Sequence, residues 1–177
     1  MINKCYSLYY EQVNNVLFNI LDSHDTVRLM QRCNNDENVF FQQIAVLLTM
    51  QGTPCIYYGT EIGMIGKGSR QNRKCMPWGD IEAGKYNSLI NELKELISIR
   101  KKYPQAKSSK IKWYKHKEER LIHYCKSMDG YNDLEVYINT DNVTVEGIKC
   151  DKVLYSRGFN ESKLMPGGII IQIKEEE

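Results

Sequence analysis

Several features are missing from this sequence, and each absence narrows the reading. No apolar run in the 177 residues approaches the roughly 20 needed to span a bilayer, so no membrane partner is expected. Charge of either sign is nearly absent as a net quantity: 24 Lys and Arg against 22 Asp and Glu leave +2. No basic stripe interleaved with aromatics appears, so nucleic acid is not an expected partner. The six cysteines, Cys5, Cys33, Cys55, Cys75, Cys125 and Cys150, form no Cys-x-x-Cys pair. Cys75 has no histidine at ligand spacing, and no metal site is expected. The opening residues Met1-Ile-Asn-Lys-Cys-Tyr6 lack the apolar core of a signal peptide. With reduced thiols, this gives the expectation of a cytoplasmic protein. Internal repeats and low-complexity linkers are also lacking. The length is enough for a core but short of the about 250 residues of a complete (β/α)8 barrel.

What is present begins with residues 16–21, an apolar run of strand length that ends in Asp22, Ser23, His24, Asp25 and Thr26. A strand that stops in an acid and an imidazole and then turns into a helix is how an α/β enzyme presents side chains to a substrate. Spacing alone leaves a plainer reading open, in which Asp25 or Thr26 caps the next helix and His24 satisfies a loop. Tyr is abundant at 12 residues, which suits a protein handling sugar rings and equally suits Tyr-rich strands.

Taken in order, Tyr6, Tyr9 and Tyr10 fall at helical spacing before the first strand. A helix is expected to open at Arg28 and to be broken by Asn34-Asn-Asp36, and a second covers residues 39–50. Gly52 offers a left-handed cap and Pro54 forbids continuation. Residues 55–58 read as the next strand, completing a βαβ unit. A long Gly-containing loop runs from Gly59 to Trp78. Residues 89–100 form the clearest amphipathic helix, with Leu89, Leu93, Leu96 and Ile97 inward and Lys94, Glu95 and Arg100 toward water. From about Gln105 the period becomes alternating. Six short strands are expected at residues 111–114, 121–125, 134–138, 143–145, 152–155 and 169–173. Turn signals lie at Asp129-Gly130, residues 139–142, Arg157-Gly158 and Pro166-Gly-Gly168. His116 and His123 fall on the strand region with ordinary sheet-face roles, and Glu175-Glu-Glu177 reads as a solvated tail.

Three motifs carry a resemblance. Asn19-Ile-Leu-Asp-Ser-His-Asp-Thr-Val-Arg28 resembles the last conserved motif of the α-amylase family of glycoside hydrolases. Gly52-Thr-Pro-Cys-Ile-Tyr-Tyr-Gly-Thr-Glu-Ile-Gly-Met64 resembles its eighth barrel strand, and Arg73-Lys-Cys-Met-Pro-Trp78 its downstream Arg-x-x-Met-x-Trp signature. The closest likeness is to the neopullulanase, cyclomaltodextrinase and maltogenic amylase branch. It covers the C-terminal part of such an enzyme. The fold implied is α/β plus all-β: the last two strand–helix units of a (β/α)8 TIM barrel over residues 1–104, then a small antiparallel β-sandwich over residues 105–177.

The resemblance implies a retaining α-glucan-acting glycoside hydrolase that cleaves maltodextrin, cyclodextrin or pullulan at α-1,4 or α-1,6 linkages. Retaining hydrolysis uses two carboxyl groups about 5–5.5 Å apart, as nucleophile and acid/base. In the family those two lie on earlier segments. The third carboxylate, which binds sugar hydroxyls more tightly as the ring flattens, corresponds to Asp25. His24 beside it and Arg73 in the loop after strand eight correspond to substrate-binding residues. Ser69-Arg70 stands where relatives carry Asp-Pro, and Thr60 where an Asp is frequent. Arg28 is expected to anchor a helix by ion pairing, and Glu61 to brace loop backbone or pair with a nearby Arg rather than form a dyad with Asp25. Lys67 and Tyr58 are candidates to reach the groove, while Met76 and Trp78 either face sugar or pack beneath the loop. No cofactor is implied. The implied partners are an α-glucan oligosaccharide and either an N-terminal barrel segment or a second copy of the chain. Lacking nucleophile and general acid, the chain is expected to be inactive alone. The alternative is a non-catalytic carbohydrate-binding or barrel-completing remnant.

Overall fold

Gly52 sets where the second barrel strand begins. At φ +92 it occupies the left-handed region, and an added Cβ would lie 2.5 Å from Asn19 Nδ2 and 2.7 Å from Leu17 O. The Asn19 amide donates to Gln51 O at 2.9 Å, and Thr53 N donates to Leu17 O at 2.7 Å. In the computed structural model, which describes residues 5–118 and 120–175, these contacts bring strand β2 (Thr53–Cys55) parallel against β1 (Phe18–Ile20). The strand expected at 55–58 is therefore found at Thr53–Cys55, directly after the turn, and shares only Cys55 with the expectation. Expectations for residues 1–4, 119, 176 and 177 lie outside the described residues.

Helix α1 (Glu11–Asn14) precedes β1, while Tyr9 and Tyr10 ahead of it are exposed. The crossover from β1 to β2 holds α2 (Leu29–Arg32) and α3 (Glu37–Thr49). Asn34 and Asn35 both take positive φ, which breaks the chain as the sequence suggests. Asp36 then caps α3, accepting from Asn38 N at 2.8 Å and Val39 N at 3.3 Å. After β2 come a one-turn 3₁₀ helix (Thr60–Ile62), α4 (Ser69–Asn72), α5 (Trp78–Glu82) and α6 (Asn87–Lys102). The inward stripe of α6 is Leu93, Leu96 and Ile99, with Leu89 and Ile97 half-buried beside it.

Arg100 departs from the amphipathic expectation. It is buried, donating to Leu48 O at 2.8 Å, Met50 O at 2.7 Å and Gly52 O at 2.6 Å. The last carbonyls of α3 have no intrahelical donor, and this guanidinium supplies one.

A second 3₁₀ turn (Pro104–Lys107) leads to the antiparallel module: β3 (Ile111–Tyr114), β4 (Leu121–Met128), β5 (Tyr131–Asn139), β6 (Val145–Glu146), β7 (Lys152–Asn160) and β8 (Lys163–Ile173). The order is β3-β4-β5-β8-β6, with β7 on the other side of β8. It buries both faces, as the expected sandwich does. Tyr124, Leu134, Val136, Ile138, Ile169 and Ile171 join Phe40, Phe41, Leu93 and Leu96 of the helices in one core. Leu121, Val145, Ile148, Leu164 and Ile170 form a smaller cluster. Arg157 ties module to helices, donating to both Glu92 oxygens at 2.7 and 2.6 Å and to Asn38 Oδ1 at 2.7 Å.

Two expected turns lie inside strands. Arg157-Gly158 sits within β7 and residues 166–168 within β8, at the register shifts of that hairpin. Glycine inside a strand marks a bulge as readily as a turn. The hairpin turn itself is Glu161-Ser162, both at positive φ.

Lys126 gives this core a measurable signature. It is 1% exposed, and burial, with Arg100 nearby, lowers its ammonium pKa to about 8. The unfolded chain, with a lysine pKa of about 10.4, then binds more protons between those values, so this residue makes stability rise with pH across that window. Lys126→Met should exceed the parent in stability at neutral pH by up to about 3 kcal/mol, and the two should converge near pH 10.5. Urea midpoints across pH test this; equal midpoints at neutral pH would contradict it.

Candidate functional site

The carboxyl ends of β1 and β2 lie side by side, Ile20 opposite Cys55. Residues 21–28 and 56–78 therefore emerge on one face. Asp22, 3% exposed, points back into the fold, accepting from Leu29 N at 2.9 Å and from the Thr60 hydroxyl at 2.8 and 3.0 Å. The carboxylate that caps α2 is thus Asp22, not Asp25 or Thr26. Ser23 N donates to Thr26 Oγ1 at 2.9 Å, and Asp25 N to Ser23 Oγ at 3.2 Å. Those turn bonds use local hydroxyls and leave the Asp25 carboxylate facing outward.

Arg28 fastens the two segments together. It is 0% exposed, and among the described residues it pairs with no carboxylate, contrary to the ion pair expected of it. Its guanidinium donates to Tyr58 O, to Asn72 O at 2.7 Å and toward Met64 Sδ at 3.4 Å. It lies 4.3 Å from the Tyr57 ring centroid and 4.9 Å from that of Tyr58. Carbonyl dipoles and ring faces thus take the place of a counterion. Asn72, buried at 1%, donates from Nδ2 to Thr26 O at 2.6 Å. The loop passes close because position 66 is glycine: a Cβ there would meet Asn72 Oδ1 at 2.7 Å.

With Asn72 held against Thr26, the next residue, Arg73, reaches Asp25. Arg73 Nη2 is 3.0 Å from Asp25 Oδ1, His24 Nε2 is 2.9 Å from Asp25 Oδ2, and Arg73 Nη1 donates to Ser69 O at 2.9 Å. Of the three site residues picked from sequence, His24 and Arg73 both reach the carboxylate of the third, Asp25, with Arg73 coming from 48 positions away. Side-chain exposures of 68% for Asp25, 52% for His24 and 45% for Arg73 leave the cluster open to a ligand. Such exposed pairs add little stability. An ionised carboxylate has about four acceptor positions, so Asp25 retains capacity for hydroxyl donors. The Tyr57 ring sits 6.3 Å from His24. Burial, then the adjacent Tyr58, raises the Tyr57 pKa above the ordinary phenol value.

Other candidates are less involved. Lys67 and Arg70 are exposed on the loop, and Tyr58 OH donates to Lys74 O at 3.0 Å. Trp78 is 64% exposed at the start of α5, and Met76 is half-buried. Glu61 makes no bracing bond among the described residues. His116 and His123 lie on the β module, 2.8 Å apart between ring nitrogens. The same restriction applies to metals: no group of three or more His, Cys, Asp or Glu is placed to hold an ion. Sequence reasoning missed Asp22, Tyr57 and Asn72. A buried Asn in a Gly-rich loop carries no pattern that distinguishes it from a solvated one.

Thr60 offers a test. Thr60→Asp would set a second carboxylate against buried Asp22, raising one folded pKa above its unfolded value of about 3.9. Such a group loses its contribution as pH rises through the folded pKa. The variant should match the parent near pH 4 and fall below it at pH 7 in urea midpoint; an equal deficit at both would contradict the geometry.

Comparison with known proteins gives the family of the chain. The family model for the α-amylase catalytic domain matches residues 2–128. An intracellular maltogenic amylase of Bacillus subtilis strain 168 is 48% identical over 92 residues, 51% of this chain and 15% of that protein. A cyclomaltodextrinase of Geobacillus thermopakistaniensis is 37% identical over 139 residues, 78% of this chain and 23% of that protein. The acarbose-soaked debranching enzyme of Nostoc punctiforme has the same fold, with a TM-score of 0.81 at 24% identity over 98% of this chain and 37% of that one. The chain therefore spans about a seventh to a quarter of the curated relatives' length. With the match running through both strands, the converged cluster and the first β-module strands, the chain belongs to the α-amylase family of glycoside hydrolases.

Proposed function

We propose that this chain supplies part of the substrate-binding face of a retaining α-glucan-acting glycoside hydrolase, cytoplasmic in location, that acts on maltodextrin, cyclodextrin or pullulan. The observation that carries the reading is the convergence of His24 and Arg73 on the two oxygens of Asp25 at the carboxyl ends of adjacent parallel strands. That end of a barrel is where substrate is held.

Asp25 accepts hydroxyl hydrogen bonds from the sugar in the reacting subsite. Arg73 and His24 fix its orientation. As the ring flattens toward an oxocarbenium ion its hydroxyls become stronger donors, so contacts to a fixed carboxylate tighten in the transition state. Bond cleavage needs two further carboxyl groups about 5–5.5 Å apart. Asp22 is committed inside the fold and cannot be one of them. On this reading the chain binds glucan and does not hydrolyse it alone.

A second reading, a barrel-completing subunit, draws on β1. Val16 is 72%, Phe18 65% and Ile20 46% exposed, whereas parallel sheets are normally covered on both faces.

Purified chain should release no reducing sugar from maltotriose, and measurable turnover would overturn the proposal of inactivity. Maltoheptaose should give a saturable change in tryptophan fluorescence, weakened at least about tenfold in Arg73→Ala, as loss of a charged hydrogen bond requires. Equal affinity in the variant would remove Arg73 from the site.

A further inference from the structure

The β module carries a polar cavity of about 660 Å³, which no part of the Asp25 cluster lines. Its walls come from the start of β5, the segment before β7 and the end of β8, and include Tyr131, Tyr137, Asp133, Glu135, Asp151 and Gln172. Its volume lies in the range of about 300–1,000 Å³ usual for small-ligand sites.

The polar groups at its base are fixed in place. Glu135 and Gln172 are 6% and 1% exposed, and Gln172 Nε2 donates to Glu135 Oε2 at 3.0 Å and to Lys149 O at 3.2 Å. Tyr137 OH donates to Glu135 Oε2 at 3.3 Å, and His123 Nε2 lies 3.7 Å from Oε1. His123 is itself held between the rings of Tyr114 and Tyr137, with centroids 4.2 and 3.9 Å away. The imidazole, then the Gln172 amide, keep the Glu135 carboxyl below its ordinary range against the effect of burial, so it is an ionised acceptor at neutral pH. Tyr131 at the rim is 54% exposed and presents a ring to solvent.

This lining selects among ligands. Carboxylates outnumber the two lysines, Lys149 and Lys174, which disfavours phosphates and other anions. The acids are dispersed and already bonded to protein donors: Asp133 accepts from Cys125 Sγ at 3.1 Å, and Asp151 from Glu175 N at 3.2 Å. No three of them are placed to hold a metal ion among the described residues. With its Nε2 donating twice and its Oε1 accepting from Asp151 N, the Gln172 amide serves to fix the wall. Asp133 and Asp151, each with one protein donor, keep acceptor positions free, and with the exposed Tyr131 ring they match a neutral ring bearing many hydroxyls, apolar on its faces and polar at its rim.

We propose that this cavity is a second carbohydrate-binding site, taking pyranose units of the same glucan as the Asp25 cluster. The choice of α-glucan rests on the function proposed above; the cavity's preference for a neutral polyol does not. Two independent sites on one chain would raise its effective hold on a long glucan.

The test uses the full chain labelled with ¹⁵N and titrated with maltoheptaose. Backbone amides of residues 131–133 and 149–151 should shift saturably in the parent and equally in Asp25→Asn. In Tyr131→Ala and Asp151→Asn, both altered at exposed positions, affinity at these amides should fall at least tenfold while the dispersed spectrum of the folded chain persists. Shifts confined to residues 23–26 and 73 would overturn the second site and leave the first standing. Shifts at the cavity alone would support it while counting against the reading of Asp25. Unchanged binding in Tyr131→Ala, or no shifts at the cavity amides, would overturn it.

Discussion

Arg28 is a fully buried cation met by carbonyl oxygens and two aromatic rings rather than by a carboxylate, and the candidate site depends on that arrangement. A guanidinium has five donors in a rigid fork, so one side chain can hold the backbone after β2, at Tyr58, and the far end of the loop, at Asn72. Its own backbone N donates to Gly66 O at 3.1 Å. The chain from Tyr58 to Asn72 is thereby pinned at three points around one residue of the preceding motif. A lysine could not reproduce the fork.

Asp22 and Asp25 show how nearby acids take different roles. Asp22 is drawn inward by Leu29 N and the Thr60 hydroxyl, satisfying the start of α2. Asp25, released from capping, stands in solvent with an oxygen for each of two cationic or cation-capable partners. The hydroxyl of Thr60 gives Asp22 a donor where a carboxylate at position 60 would set a competing charge.

Much of this was legible in sequence because it rests on local patterns. The βαβ unit follows from an apolar run, a helical period and a Gly-x-Pro stop; the six strands follow from alternation. His24, Asp25 and Arg73 were marked by three motifs in family order, though spacing alone left Asp25 equally able to be a cap. The misreadings share a cause, which is long-range satisfaction of backbone groups. Arg100 turned inward because carbonyls 48 to 52 residues away lacked donors. Arg28 found carbonyls where an acid was expected. The glycines at 158 and 167–168 serve bulges because Glu161-Ser162 makes the turn.

The central claim is that His24, Asp25 and Arg73 hold one sugar unit as a group. The most direct measurement follows the His24 imidazole cross-peaks by NMR while maltoheptaose is added to the chain. The account predicts a saturable shift in the parent that disappears in Asp25→Asn, because the imidazole reports the carboxylate it touches. An unmoved His24 signal in the parent, or the same shift in the variant, would contradict it.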